Sequence, residues 1–176
     1  MTPESIAIYL GIVKAGCVVV SVADSFSPDE IATRCRISNA KAIFTQDVIF
    51  RGAKFLPLFE RVLDADQIVQ ESEGNSSESM KIMVLPGMLH ASSYPEVPKD
   101  DNGSTWVDKD IEGCEIPIHD SVLSPMRKDH DASWYELLDL CSTEYTSVKR
   151  SAMASCNILF SSGTTGEPKA IVWSHS

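Results

Sequence analysis

The residues Ser161-Ser162-Gly163-Thr164-Thr165-Gly166-Glu167-Pro168-Lys169 have the types and spacing that could do chemistry, with the apolar runs Ile158-Leu159-Phe160 before them and Ile171-Val172 after. Gly163 and Gly166 allow backbone angles that residues with a Cβ seldom adopt, so successive amide N–H groups can turn toward one anion. The hydroxyls of Ser161, Ser162, Thr164 and Thr165 are donors that rotate to fit phosphate oxygens. Lys169 is a compact, mobile charge suited to a polyphosphate that shifts or departs. Pro168 fixes one backbone angle just ahead of that lysine. A Ser/Thr/Gly run between two apolar segments is also the composition of a plain hairpin connection, and the residues alone leave both readings open.

Two common nucleotide motifs are excluded. The phosphate loop of the widespread ATPases and GTPases needs glycine directly before its lysine and a hydroxyl residue directly after it. Here Pro168 and Ala170 flank Lys169. No G-x-G-x-x-G is present, which disfavours a dinucleotide fold of the usual kind.

The elements that must position this stretch follow from local pattern. Thr2 can cap a helix with Pro3 at its first position and Glu4 at its positive end. Ile6, Leu10 and Val13 share one face of that helix, Tyr9 and Ile12 widen it, and Gly16 ends it. Cys17 to Val22 reads as a buried parallel strand, with Cys17 and later Cys156 as buried thiols. Ser27-Pro28-Asp29-Glu30 is a capping box opening a second helix, and Ala42 to Thr45 is the next strand. A short helix is expected near Phe59–Ala65, a mobile polar linker over Ile68 to Ser79, and a buried strand over Ile82 to Leu85. The last helix is expected over Asp131 to Leu140, capped by Ser133, with Trp134, Leu137, Leu138 and Cys141 facing the core. This alternation implies a layered α/β fold with a mixed or parallel sheet and flanking helices. The segments are an α/β core over 1–67, a polar linker over 68–81, an acidic and partly irregular segment over 82–150, and a strand, loop and return strand over 151–176.

Composition narrows the partners. The 176 residues carry 25 carboxylates against 15 basic groups, a formal net charge of −10, which disfavours nonspecific nucleic-acid binding. Nineteen of the acids fall between Glu60 and Glu144 and read as solvated surface and loops. The five cysteines include no C-x-x-C pair and no zinc-like spacing, and no metal ligand is assigned. His90, His119, His130 and His175 are scattered and are read as surface or structural groups. No apolar run is long enough for a membrane span, and no targeting signal is recognised.

Residues 158–169 resemble the signature of the acyl-adenylate-forming superfamily of AMP-dependent synthetases and ligases. Tyr9 to Val22 resembles that family's helix-then-strand, and Ser27 to Ile31 with Asn39 to Thr45 resembles the helix and strand that follow. The wording is similar to plant acyl-activating enzymes of the acetyl-CoA-synthetase-like branch, particularly the peroxisomal group. The resemblance implies a partial large N-terminal domain, incomplete as a fold, within which all four segments belong to one AMP-binding domain. It also implies ATP, Mg2+ and coenzyme A as cofactors and a small carboxylic acid as substrate, activated as acyl-AMP and then passed to coenzyme A. By the same resemblance Ser161, Ser162, Gly163, Thr164, Thr165, Gly166, Glu167 and Lys169 hold the ATP phosphates and the departing pyrophosphate. Ala170 stands where most members have glycine. No catalytic residue can be carried over, because the family's acidic motif, ribose-binding aspartate, hinge and C-terminal lysine follow the loop. The expectation is a truncated chain, from a shortened gene model or an isoform, that is inactive alone. Its poorly completed sheet suggests association with a fuller ligase, or a noncatalytic phosphate-binding role. The resemblance places it in the peroxisome or the cytoplasm.

Overall fold

The computed structural model describes residues 2–51, 54–72, 79–85, 126–128, 130–162 and 167–176. They form two compact units, Met1–Ala40 with Ser142–Ser176, and Lys41–Cys141.

The first unit begins with α1 (Pro3–Lys14), whose cap is reciprocal: Thr2 Oγ1 accepts the Ser5 amide at 3.3 Å, and Ser5 Oγ accepts the Thr2 amide at 3.2 Å. Gly16 follows the helix with φ 72°, the left-handed angle that suits glycine at a helix end. In β1 (Val19–Val20) only two residues pair, so the strand expected over Cys17–Val22 is much shorter. Cys17 lies outside it and is exposed, while Cys156 is half-buried; neither is the buried thiol that an apolar strand would make. Among the described residues the buried cysteine is Cys35 of α2 (Pro28–Ser38), a helix in which Ile31 and Ala32 are also buried.

The Ser27 box forms as the residues dictate, with the Glu30 carboxylate accepting the Ser27 amide at 2.9 Å. That backbone bond, chiefly, holds the Glu30 carboxyl below its usual range. β7 (Ser155–Ser161) pairs in parallel with β1 and antiparallel with β8 (Lys169–Ser174), giving the order β1-β7-β8. Ile6 and Leu10 of α1 remain 50% and 54% exposed, so the apolar face of this helix is not a core face within the described residues.

The second unit is built on a parallel sheet, β2 (Ala42–Gln46), β5 (Lys81–Leu85) and β6 (Ala132–Ser133), in that order. A small antiparallel pair, β3 (Ile49–Arg51) and β4 (Lys54–Leu56), precedes α3 (Leu58–Ser72). Ile82, Met83, Val84 and Leu85 are all buried, as a central parallel strand requires. Phe59 and Val62 of α3 pack on Ile82 and Val84, with Ile43, Leu63 and Met126 around them.

Several expectations are corrected in this unit. α3 is twice the expected helix, running through Ser72 and so five residues into the stretch read as linker. Its apolar positions Phe59, Val62, Ala65 and Val69 keep helical spacing to the end, and all are buried. Residues 73–78 lie outside the described residues. α4 (Trp134–Leu140) starts three residues later than expected, with Ser133 as its cap. Leu137 and Trp134 are half-buried, but Leu138 is 48% exposed and Cys141 is exposed, so neither faces a core.

The acidic middle is not all solvated. Asp66 is buried and accepts from the Ser79 hydroxyl at 2.6 Å, the Met80 amide at 2.9 Å and the Arg127 guanidinium at 2.5 Å. Among the described residues no helix is long and apolar enough to cross a membrane.

Candidate functional site

The β7–β8 ladder runs Leu159 against Ile171, Phe160 against Ala170 and Ser161 against Lys169. The chain therefore leaves the sheet after Ser161 and rejoins it at Lys169. Directly opposed residues of an antiparallel pair present their side chains on one face, so the Ser161 hydroxyl and the Lys169 ammonium emerge together at the mouth of the connection. β1 flanks β7 on its other side and stiffens that stem.

Lys169 is exposed and, among the described residues, makes no ion pair. Ser161 is half-buried, and Ser162 and Glu167 are exposed. Gly163, Thr164, Thr165 and Gly166 lie outside the described residues. Of the expected phosphate contacts, the ladder brings Ser161 and Lys169 together, with Ser162 and Glu167 next to that pair in the chain.

α2 supplies two groups that sequence reasoning did not single out. The Arg34 guanidinium lies 3.8 Å from the Phe26 ring centroid and 5.7 Å from that of Phe160, stacking distances for a cation over an aromatic face. Arg34 Nη1 donates to the Glu30 carbonyl at 2.7 Å. Arg36 Nη2 stands 3.8 Å from Glu167 Oε1. One helix thus touches the residue before Ser161 on one stem and Glu167 ahead of the other. Two arginines in a capped helix give no sequence signal for this, because the contacts join positions far apart in the chain.

The described residues contain no group of three or more His, Cys, Asp or Glu side chains placed to hold a metal ion. Glu167, the one carboxylate of the loop, is turned to Arg36. No Mg2+ ligand and no coenzyme A contact can be named on the described residues. His130 Nδ1 lies 3.0 Å from Asp131 Oδ1, a structural contact, and His175 is exposed.

The family model for AMP-binding enzymes matches residues 1–176, the whole chain. "Probable acyl-activating enzyme 17, peroxisomal" of Arabidopsis thaliana is 42% identical over 179 residues, covering 99% of this chain and 19% of that protein. Hexanoyl-CoA synthase of Cannabis sativa is 38% identical over 180 residues, covering all of this chain and 19% of that one. Among solved structures, acetoacetyl-CoA synthetase from Streptomyces lividans matches over 99% of this chain and 20% of its own, with a TM-score of 0.64 at 21% identity, which is a likeness of fold. This chain spans about a fifth of the length of the curated relatives it matches. The α/β fold, with its mixed and parallel sheets and flanking helices, corresponds to part of such a synthetase, and the β7–β8 stem carries the lysine that the sequence pattern singles out. On the full-length match of the family model, the chain belongs to the AMP-binding enzyme family.

Proposed function

We propose that this chain is the pyrophosphate-holding part of an ATP-dependent carboxylate-activating ligase. In that reaction a carboxylate oxygen attacks the α-phosphorus of ATP, the bond to the bridging oxygen breaks, and pyrophosphate leaves with the electron pair. The acyl-AMP then passes its acyl group to the thiol of coenzyme A, releasing AMP. The observation that carries this reading is the pairing of Ser161 with Lys169, which sets a hydroxyl and an ammonium side by side where the glycine-rich connection opens. Fixed donors aimed at leaving-group oxygens stabilise charge as it builds on them and need no reorganisation at that moment. Ser162, Gly163, Thr164, Thr165 and Gly166 complete the cradle in this reading. Magnesium would travel with the nucleotide.

The names of two relatives point to a medium acyl chain, hexanoyl, and to the peroxisome. By itself the chain is proposed to bind without turning over, since adenine, ribose and acyl contacts belong to other parts of such ligases. Titration calorimetry of the folded chain with pyrophosphate and with ATP tests this. Competitive binding of the two is expected, without competition from AMP and without pyrophosphate exchange into ATP. A folded chain that binds neither ligand sinks the proposal.

A noncatalytic role in association with a larger ligase is favoured by a different observation. Among the described residues β8 pairs on one side only, and Ile171, Val172 and Trp173 are 45%, 58% and 55% exposed on it. An apolar edge strand of that kind is a template for pairing with further chain. Co-purification with a full-length acyl-activating enzyme, lost on placing lysine at Val172, would favour it.

A further inference from the structure

The loop that is proposed to surround a polyphosphate carries one acid, Glu167, between Gly166 and Pro168. A bare carboxylate there would repel the ligand: like charges within a Debye length, about 8 Å at physiological salt, raise each other's energy. The structure answers that charge from α2. Arg36 Nη2 lies 3.8 Å from Glu167 Oε1, with the two side chains 46% and 79% exposed. Arg36 also sits in the last turn of its helix, where a cation is favoured by the helix dipole and its own position is therefore stabilised. Arg34, two residues earlier, faces Phe160 at the other stem.

We infer that Arg36 is a positioning residue of the phosphate loop, acting through Glu167: it neutralises the loop's only carboxylate and holds the exit stem that leads to Lys169. Arg36 touches no ligand in this scheme. The inference rests on the reading of the loop as a pyrophosphate holder, and the experiment below separates the two.

An exposed ion pair is worth at most about 1 kcal/mol, so Arg36→Ala should weaken pyrophosphate binding by about threefold to fivefold in the full 176-residue chain at low salt. Arg36→Lys should recover most of that loss, because charge rather than the planar fork is what is needed. The deciding variant is Arg36→Ala with Glu167→Gln. Removing the carboxylate removes the need for the arginine, so Arg36→Ala should cost less than about twofold when made in the Glu167→Gln chain, giving a coupling between the two positions that independent sites lack. A merely structural role for Arg36 would not be relieved by changing Glu167, and a direct contact of Arg36 with the phosphate would leave the full loss between the Glu167→Gln chain and the double variant. Either result overturns the inference. Arg36→Ala binding as tightly as the unsubstituted chain also overturns it. If the unsubstituted chain, folded by circular dichroism, does not bind pyrophosphate, the ligand reading itself fails and takes the role of Arg36 with it.

Discussion

Asp131 and Arg127, four residues apart, face each other through two parallel hydrogen bonds, Nε to Oδ2 at 2.9 Å and Nη2 to Oδ1 at 2.9 Å. The same guanidinium donates to the Met80 carbonyl at 2.8 Å, to the Ser79 hydroxyl and to Asp66 at 2.5 Å. Asp131 Oδ1 also takes the Ile82 amide at 3.1 Å, and Asp66 takes that of Met80. Two buried carboxylates therefore bracket the first residues of β5 and lock them to the segment that leads into β6. Fork-to-carboxylate pairing of this kind is geometrically specific, and it sets which strand lies beside which.

That network gives the stability of the second unit a pH dependence. Burial alone would raise the Asp131 carboxyl, but the bonds from Arg127, from His130 and from the amides of Arg127 and Ile82 outweigh it and take it from 3.8 to about 2. A carboxyl lowered in the folded state stabilises above its unfolded value, and that stabilisation is lost as pH falls from about 4 through about 2. The loss should be about 1–2 kcal/mol, discounted because the Arg127 side chain is 32% exposed. Urea midpoints followed between pH 6 and pH 2 should drop across that window, and Asp131→Asn should start lower and show a flatter profile. A variant whose profile parallels the original would refute the assignment.

Of the two glycines among the described residues, Gly16 is the one that tolerates a side chain less. Its φ is 72°, and a Cβ there would lie 2.6 Å from Arg150 Nε and 2.9 Å from Val148 Cγ1. Arg150 Nε meanwhile donates to the Gly16 carbonyl at 3.0 Å, so it cannot simply withdraw. Gly16→Ala should cost about 1–3 kcal/mol through the left-handed angle and the crowding. Gly11, inside α1 with open space around it, is the internal comparison: Gly11→Ala should be neutral or stabilising by up to about 1 kcal/mol. Thermal midpoints of the two variants that fall in the opposite order would contradict this.

Lys169→Ala should weaken pyrophosphate by about tenfold, the size of one charge-assisted contact. It should leave stability within about 0.5 kcal/mol, since its exposed side chain packs on no core. Calorimetry and a denaturation curve on the same sample read both. Unaltered affinity would remove Lys169 from the site.

The capping motifs and turns were legible residue by residue: Thr2, Ser27 and Ser133 each sit where their hydroxyls meet the third amide of a helix, and Gly16 takes the angle that ends α1. Strand β5 was legible because a buried parallel strand is apolar at every position. Lengths were less so. The polar residues after Ile68 look like linker when counted together, yet Val69 continues the buried stripe of α3. The extent of β1 depends on which residues of β7 lie opposite it, which no local pattern records.

Sequence alone determined the composition of the glycine-rich loop, the identity of its lysine and the strands on either side. These are properties of residue type and spacing within about ten positions, where local sterics and hydrogen-bonding capacity decide. Tertiary structure decided the rest: the Ser161–Lys169 register, the turn of Arg36 to Glu167, and the burial of Asp66 beneath Arg127. The contacts of Arg36 and Arg127 join residues far apart in the chain, whereas Ser161 and Lys169 are near in sequence but take their register from the ladder; the energy that selects all three comes from pairing and packing that exist only once the sheet has formed.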